Sequence, residues 1–463
     1  MRPVLLAVWL VLGAAAPAPG QEPRTVVITS VAVINPADSA APLTNQTILI
    51  QDGIIRSIGP TLGTEVPRGA RRIDGRGKFA MPGLWDSHVH FMNTGPSALA
   101  LFLAHGVTTV REMGGYLDST LAWRARMQAG TLDGPRIITP GPLLESPRYL
   151  QGVRERSARP GQEQLALRVL PYRVGVGNAE EARAAIDSLT GLGVDFVKFR
   201  TVATPEAYYA ILREAKRAGL RVAGHPPAVA SLQAALDSGQ ADIEHAFFPL
   251  LSAGAPERRD SVIARFVRHG AWYTPTLVVS RAVTLSGDSA FRLLFGERQE
   301  EVDERRHYAS DWLLGWWRTQ VDERRADTSS ARARLIQQAY ESSLEDVRRM
   351  RAAGVRLLAG TDAGSVLIYP GFSLHEELEL LVTAGGLSPR EALRAATIEP
   401  ARFARLDHRL GAIASGRIAD LVLLDADPLA DIRNTRRIAA VIQAGRVLTR
   451  PDLERLLESA RRP

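Results

Sequence analysis

Residues 81–91, MPGLWDSHVHF, join a run of apolar residues to two histidines, His88 and His90. The apolar run is typical of a β-strand, and on a strand the side chains of residues i and i+2 point to the same face. On a helix the same two side chains would point about 200° apart. Two imidazoles on one face of a strand end, with Asp86 on that face as well, can bind one metal ion. The alternative is that these are two ordinary histidines at a strand end. Residues elsewhere in the chain are needed to choose between the two interpretations.

The length and composition indicate a globular protein with more than one core. At 463 residues the chain is expected to form one large domain with an accessory domain. Its formal charge of +7 comes from arginines scattered through helix-like segments. No basic run is interleaved with aromatic residues, which argues against nucleic-acid binding. The chain has no cysteine, which excludes disulfides and leaves histidine, carboxylate and lysine as metal ligands.

The first 20 residues have the pattern of a secretory signal peptide. Arg2 is followed by an apolar segment, residues 4–12, and by the small-residue sequence Ala18-Pro19-Gly20. The apolar segment is short for a bilayer span, so we expect a cleaved signal and no stable membrane span afterwards. An uncleaved anchor is the alternative. This pattern predicts a periplasmic or secreted protein.

Both ends of the mature chain read as short strands separated by turns. The first end contains VVITSVAVI, QTILIQDGIIRSIG and RRIDGRGKFA, and the second contains GAIASGRIADLVLLDADP and AAVIQAGRVLT. The Asp52-Gly53 pair is a hairpin signal. Neither end has enough strands for a core of its own. We therefore predict one small β-sandwich built from residues 21–79 and 411–450, followed by a C-terminal tail, 451–463.

Residues 80–410 alternate strand-like and helix-like segments. The candidate strands are 84–90, 107–112, 135–140, 193–200, 220–225, 241–247, 271–277 and 355–362. Eight such units in series are typical of an α/β fold of the (β/α)₈ TIM-like barrel type. A doubly wound open sheet is the rival, but no Gly-rich phosphate loop follows the first strand.

Two connections in this central region are long. Residues 141–177, rich in Pro, Gly and Arg, are predicted to be a loop over the barrel mouth, and residues 278–354 a helical insertion. In the insertion, Trp312, Trp316 and Trp317 have the spacing of a core-packing stripe. A lid whose aromatic side chains line the pocket is the alternative.

The residues best suited to chemistry fall at the carboxyl ends of the candidate strands, where barrel active sites lie. They are His88, His90, Lys198, His225, His245 and Asp362. Lys198 shares a strand face with apolar neighbours, so burial should lower its pKa. A neutral amine can add CO₂ to give a carbamate, which can bridge two divalent cations. A salt bridge from Lys198 to Asp362 or Glu244 is the alternative.

Asp362 is the candidate catalytic residue. A metal can lower the pKa of its bound water from about 15.7 towards about 7, which provides hydroxide at neutral pH. Asp362 could accept the proton from that water and later return it to the leaving amine. Nitrogen and oxygen ligands without sulfur suit zinc best, with manganese, iron or cobalt as alternatives.

These residues in this order resemble the amidohydrolase superfamily, and most closely its imidazolonepropionase-like members, which include dipeptidases, prolidase-like enzymes and ochratoxin-type amidases. The resemblance rests on MPGLWDSHVH, DFVKF, AGHPP, DIEHA, AGTDAG and GRIADLVLLDADP, with LAHGVTTVRE and AATIEPARF as further matches. It implies two divalent metal ions. His88, His90 and Asp362 would bind one, His225 and His245 the other, and an N-carboxylated Lys198 would bridge them.

Two positions depart from the family pattern. Pro226-Pro227 follow His225, where the family often has a further His or Tyr near the substrate. Glu112 replaces the usual aspartate after TTVR and is one methylene longer.

The resulting prediction is a secreted binuclear metal-dependent hydrolase that cleaves the amide bond of a dipeptide or an N-acyl amino acid. A cyclic-amide or ester hydrolase of the same fold is the first alternative, and a non-catalytic secreted binding barrel is the second. Arg111, Arg200 and Tyr273 lie near strand ends and are candidates for holding a substrate carboxylate. The expected partner is a small-molecule amide or dipeptide substrate, and the sequence is compatible with a homo-oligomer.

Overall fold

The structure is a computed structural model that describes residues 25–159, 162–246, 251, 256–327 and 329–462. The predicted signal peptide and residue 247 of the sixth candidate strand lie outside these residues. Among the described residues, the strands are β1 Thr25–Val33, β2 Leu43–Gln51, β3 Ile54–Pro60, β4 Arg71–Asp74, β5 Phe79–Pro82, β6 Leu84–Val89, β7 Val107–Glu112, β8 Arg136–Ile138, β9 Leu143–Glu145, β10 Arg173–Gly175, β11 Val197–Phe199, β12 Val222–Gly224, β13 Gln240–Glu244, β14 Trp272–Thr274, β15 Arg356–Leu357, β16 Leu421–Leu424, β17 Ile438–Gln443 and β18 Arg446–Thr449.

The helices of the same residues are α1 Phe91–Thr94, α2 Ser97–Ala104, α3 Leu117–Gln128, α4 Pro147–Ser157, α5 Gln164–Val169, α6 Ala179–Gly191, α7 Pro205–Arg217, α8 Leu232–Asp237, α9 Pro256–His269, α10 Leu277–Thr284, α11 Gly287–Phe295, α12 Asp311–Ala326, α13 Ser330–Ala352, α14 Phe372–Thr383, α15 Pro389–Ala395, α16 Ile398–Phe403 and α17 Arg450–Ala460. Within the described residues, none of these helices combines the length and the apolar character needed to cross a bilayer.

The two ends of the chain form one sheet, as the sequence predicts. Its order is β18-β17-β16-β5-β1-β2-β3, with β4 beside β1, and the two ends join where β5 pairs antiparallel with β16. The predicted small β-sandwich is confirmed in part, because strands from both chain ends combine, and their hydrogen bonds join them in a single sheet. The edge strand β3 also contacts the C-terminal part of the chain, because Ile54 forms an antiparallel bridge with Ile418. The sheet thus curls around one apolar core to which both chain ends contribute buried residues.

The central strands form two parallel ladders. One has the order β10-β9-β11-β12-β13-β14-β15 and the other has the order β6-β7-β8. Seven of the eight candidate segments contain one of these strands, and the sixth overlaps β13, which begins one residue earlier at Gln240. The predicted α/β class with parallel pairing is thereby established. A single closed eight-stranded ladder is not formed by the described residues. Backbone hydrogen bonds nevertheless link both edges of the smaller ladder to the larger one, from Asp362 N to His88 O (2.8 Å) beside β6 and from Asp195 N to Thr139 O (2.9 Å) beside β8.

The connection at residues 141–177 is not the loop that the sequence predicts. It contributes β9 and β10 to the larger ladder and also contains α4 and α5. The proline at position 147, which suggests a loop, begins α4 instead, since proline is favoured in the first turn of a helix. Ser146 caps this helix by accepting a hydrogen bond from Tyr149 N at 3.2 Å. Within the predicted C-terminal tail, α17 packs its apolar face against α2.

The helical insertion is present, and one of its three tryptophans packs against the segment that follows Asp362. Trp317 on α12 is fully buried, and its Nε1 donates a hydrogen bond to Gly364 O at 3.0 Å. Its ring packs edge to face against Tyr369 at 5.3 Å between ring centres. Trp312 and Trp316 stack on each other, and Trp316 is 36% exposed. The predicted core-packing stripe is therefore correct for Trp317 and wrong for Trp316.

Replacing Trp317 with alanine should destabilise the protein by about 3–5 kcal/mol, because the change removes a fully buried aromatic side chain. The loss should appear as a lower thermal unfolding midpoint. Trp316→Ala is the matched control on the same helix and should lower the midpoint much less, because that ring is 36% exposed. Equal shifts in the two variants would contradict the assigned packing.

Candidate metal centre

The start of β6 is fixed by close packing and by a buried carboxylate. At Gly83, which precedes β6, a Cβ atom would lie 2.1 Å from the Thr108 side chain, so only glycine fits there. Asp86 accepts hydrogen bonds from Thr361 Oγ1 (2.6 Å), Thr361 N (3.0 Å) and His88 N (3.2 Å). Burial raises the pKa of Asp86 to about 7. Asp86 therefore ties the first candidate strand to the eighth.

One group of possible metal ligands is formed by His88, His90 and Asp362. Asp362 Oδ1 lies 3.1 Å from His90 Nε2 and 3.6 Å from His88 Nε2. Burial alone would raise the pKa of the Asp362 carboxyl, but His90 beside it holds that pKa well below its usual value. Asp362 is therefore ionised at neutral pH. Its side chain and that of His90 are partly exposed, at 13% and 23%, whereas His88 is buried.

A second group is formed by His88, Glu244 and His245. Glu244 Oε1 lies 3.7 Å from His88 Nδ1. The ring of His245 lies 4.5 Å from the ring of His88 and 4.8 Å from that of His225, between ring centres. His245 Nδ1 is within hydrogen-bond distance of Thr276 Oγ1, at 3.0 Å. The four histidines thus form a continuous row of rings, from His90 through His88 and His245 to His225.

The imidazoles in the buried part of this row are neutral. Burial is the main cause that lowers the pKa of His88, of His225 and of His245, and the positive charge of Lys198 acts in the same direction on all three. The resulting pKa of His245 is about 3, although the charge of Asp362 opposes the shift. A neutral imidazole has a free nitrogen lone pair, which is the form that binds a metal.

Lys198 lies at the same place and contacts Glu244. Its ammonium forms a buried ion pair with Glu244 Oε2. Burial, reinforced by the positive charge of Arg111, lowers the pKa of Lys198 to about 7. The structure therefore brings the predicted Lys198 and the four predicted histidines together with Asp362, and it adds Glu244.

From the sequence, Glu244 is predicted only as a possible salt-bridge partner of Lys198. Strand alternation would place it on the face opposite to His245. The backbone of His245 instead has a φ of +71°, so the chain turns just after β13 and both side chains reach His88. A usable signal is the i, i+2 spacing of Asp242 and Glu244, which repeats that of His88 and His90.

The three predicted substrate contacts lie in different environments. Arg111 is 2% exposed and donates hydrogen bonds to Ser87 O (2.6 Å) and Asp242 Oδ2 (2.7 Å). Tyr273 is fully buried in the apolar core, so neither side chain is open to a substrate carboxylate. Arg200 is 31% exposed and contacts Glu145. Glu112, the departure noted after TTVR, is buried and accepts hydrogen bonds from Thr120 and Thr139.

The donor set fits divalent metal ions. It consists of neutral imidazole nitrogens and carboxylate oxygens, with no sulfur, which suits zinc and similar cations. His88 Nδ1 is buried and has no hydrogen-bond partner among the described residues. A buried polar atom without a partner is costly, and a ligand that occupies the centre would remove that cost.

Several known proteins are similar to this chain over most of its length. The model of the Amidohydrolase family matches residues 79–448. Ochratoxinase from Aspergillus niger is 23% identical over 95% of this chain and 90% of its own length. A protein assigned as a prolidase from Bifidobacterium longum is 26% identical, with a TM-score of 0.69 over 94% of this chain and 99% of its own. Bottromycin amidohydrolase is 25% identical, with a TM-score of 0.72 over 95% and 91% of the two chains.

Proposed function

The chain belongs to the amidohydrolase family and is a hydrolase of carbon–nitrogen bonds, and from this premise we propose that it cleaves the amide bond of a dipeptide or an N-acyl amino acid with two divalent metal ions. The observation that carries the proposal is the cluster of four histidines, Asp362 and Lys198 at the ends of adjacent parallel strands. The full-length likeness to ochratoxinase and to a prolidase structure supports a linear amide as substrate.

The ligands divide between two positions. His88, His90 and Asp362 would hold one cation, and His225 and His245 the other. Lys198, carboxylated by CO₂, would bridge them, with Glu244 beside it. When bound, the cations acidify a water molecule and polarise the substrate carbonyl. Zinc suits this set of nitrogen and oxygen donors.

Asp362 supplies the proton transfer. Its carboxylate is ionised and partly exposed, so it can accept a proton from the water whose oxygen forms the new bond to the carbonyl carbon. As the carbon–nitrogen bond breaks, Asp362 returns the proton to the leaving amine. The hydrogen bond from Ser365 Oγ to Asp362 Oδ2, at 2.9 Å, keeps the carboxylate oriented.

The architecture and location belong to the same proposal. We infer that the two parallel ladders are parts of one (β/α)₈ barrel within residues 80–410, and the hydrogen bonds that link the ladders support this. The signal-peptide pattern of residues 1–20 supports a periplasmic or secreted enzyme.

The proposal predicts that zinc-loaded protein hydrolyses linear dipeptides or N-acyl amino acids and contains about two metal equivalents per chain. Elemental analysis and a substrate panel that includes lactams and lactones would test it. Treatment with a chelator should abolish turnover, and added zinc should restore it. Faster cleavage of a lactam or a lactone than of any linear amide would favour the cyclic-amide or ester alternative. Metal-loaded protein that cleaves no member of the panel would contradict the proposal.

A further inference from the structure

Arg200 lies at the carboxyl end of β11, two residues beyond Lys198. Its backbone N donates a hydrogen bond to Leu144 O at 3.1 Å, so the pairing with β9 continues to this residue. Residues i and i+2 of an extended strand share a face. The side chain of Arg200 therefore starts on the same face as that of Lys198. Burial is the main cause of the lowered pKa of His225, and the positive charge of Arg200 is one of the further causes.

The guanidinium of Arg200 is held by the fully buried Glu145. Arg200 Nε and Arg173 Nη1 donate hydrogen bonds to the same oxygen, Glu145 Oε2, at 2.8 and 2.6 Å. The other oxygen accepts a hydrogen bond from Thr201 N at 3.0 Å. Two guanidinium groups thus share one carboxylate. The group carries a net charge of +1, which favours an anion beside it.

The terminal nitrogens of the Arg200 guanidinium make no hydrogen bond within the described residues. Among the described residues only its Nε donates a hydrogen bond, and its Nη2 is buried without a partner. The Tyr149 ring, 3.8 Å from Cζ to the ring centre, stacks on the guanidinium and fixes its plane. The side chain remains 31% exposed. The terminal Nη1/Nη2 edge of a fixed guanidinium matches the two oxygens of a carboxylate.

We propose that Arg200, positioned by Glu145, Arg173 and Tyr149, binds the α-carboxylate of the residue on the leaving-amine side of the substrate. The inference rests on the proposed amide hydrolysis and assigns the side chain that recognises the free carboxylate which dipeptides and N-acyl amino acids share. Arg111 and Tyr273, the other sequence candidates, are buried and do not compete for this role.

The test measures binding and turnover separately. Calorimetry on zinc-loaded protein would compare L-leucine, L-phenylalanine and L-proline with the matching amino alcohols, which lack the carboxylate. The wild type should bind at least one amino acid more tightly than its alcohol, and Arg200→Gln should weaken that binding by about tenfold to a hundredfold. Binding of the alcohol should stay within about threefold. Arg213→Gln, at a side chain 63% exposed on α7, is the matched control and should change neither.

In turnover, Arg200→Gln should raise KM for the best dipeptide by about the same factor and leave its C-terminal amide almost unaffected. Arg200→Lys keeps the positive charge but lacks the two parallel N–H donors of a guanidinium, so its KM for the dipeptide should lie between those of the wild type and Arg200→Gln. If Arg200→Gln fails to fold, Arg200→Lys takes its place in the test. Equal weakening of amino acids and alcohols, or no change, would overturn the carboxylate role. A carboxylate preference without hydrolysis of any dipeptide or N-acyl amino acid would refute the proposed function and leave this binding site standing. Hydrolysis of such substrates without a carboxylate preference would support the proposed function and overturn the role of Arg200.

Discussion

Asp362→Asn should lower kcat for amide hydrolysis by about 10⁴-fold, the upper end of what a general base contributes. The amide cannot accept the proton of the attacking water, and it is a weaker ligand than a carboxylate. Both losses follow from one side chain, because Asp362 contacts both His88 and His90. Since asparagine has nearly the same size as aspartate, the variant should keep the fold, which circular dichroism of the same sample would check.

Steady-state kinetics on metal-loaded Asp362→Asn, with elemental analysis of the same sample, would separate the two losses. Asp288→Asn is the matched control, because its carboxylate is 71% exposed on α11. That variant should keep wild-type kcat. If Asp362→Asn retained more than about a tenth of wild-type kcat with its metals bound, the proton-transfer role would have to be abandoned.

The parts of this molecule that are predictable from sequence are those set by local periodicity. The i, i+2 spacing of His88 and His90 requires only a strand, and β6 is a strand to Val89. The strand spanning Val107–Glu112 matches its prediction at both ends, because its buried residues are bounded by Gly106 and a loop. The pairing of the two chain ends is also predictable, since neither end has enough strands to bury its own apolar face.

The parts that escape prediction depend on unusual backbone conformations or on contacts distant in sequence. Strand alternation would place Glu244 and His245 on opposite faces, but the left-handed φ of His245 turns the chain so that both side chains reach His88. Strand β9 escapes prediction because its three residues stand between a proline and a serine in a segment with the composition of a loop. It becomes a strand only through pairing with β10 and β11, which no local pattern reveals.

Lys198→Ala should lower kcat by about three orders of magnitude and reduce the bound metal below two equivalents per chain. The amine of Lys198 is buried, and its lowered pKa makes the neutral form accessible near neutral pH. The neutral nitrogen can form a bond to the carbon of CO₂ and release one proton, which leaves a carbamate with two ligand oxygens. Removing Lys198 removes the bridge between the two cation positions. Lys216→Ala, at an exposed lysine on α7, is the matched control and should leave kcat and metal content unchanged.

The competing role for Lys198 is the ion pair with Glu244 that the structure contains. The two roles differ in their need for CO₂. If Lys198 is carboxylated, chelator-treated wild-type protein should regain two metal equivalents and activity in zinc with bicarbonate, and regain much less in zinc without CO₂. Protein loaded in ¹³C-bicarbonate should also show a carbamate carbon signal that is absent from Lys198→Ala. If Lys198 serves only as the partner of Glu244, reloading should not depend on bicarbonate, and Glu244→Gln should impair the enzyme as much as Lys198→Ala does, because either change leaves the other group buried without its partner.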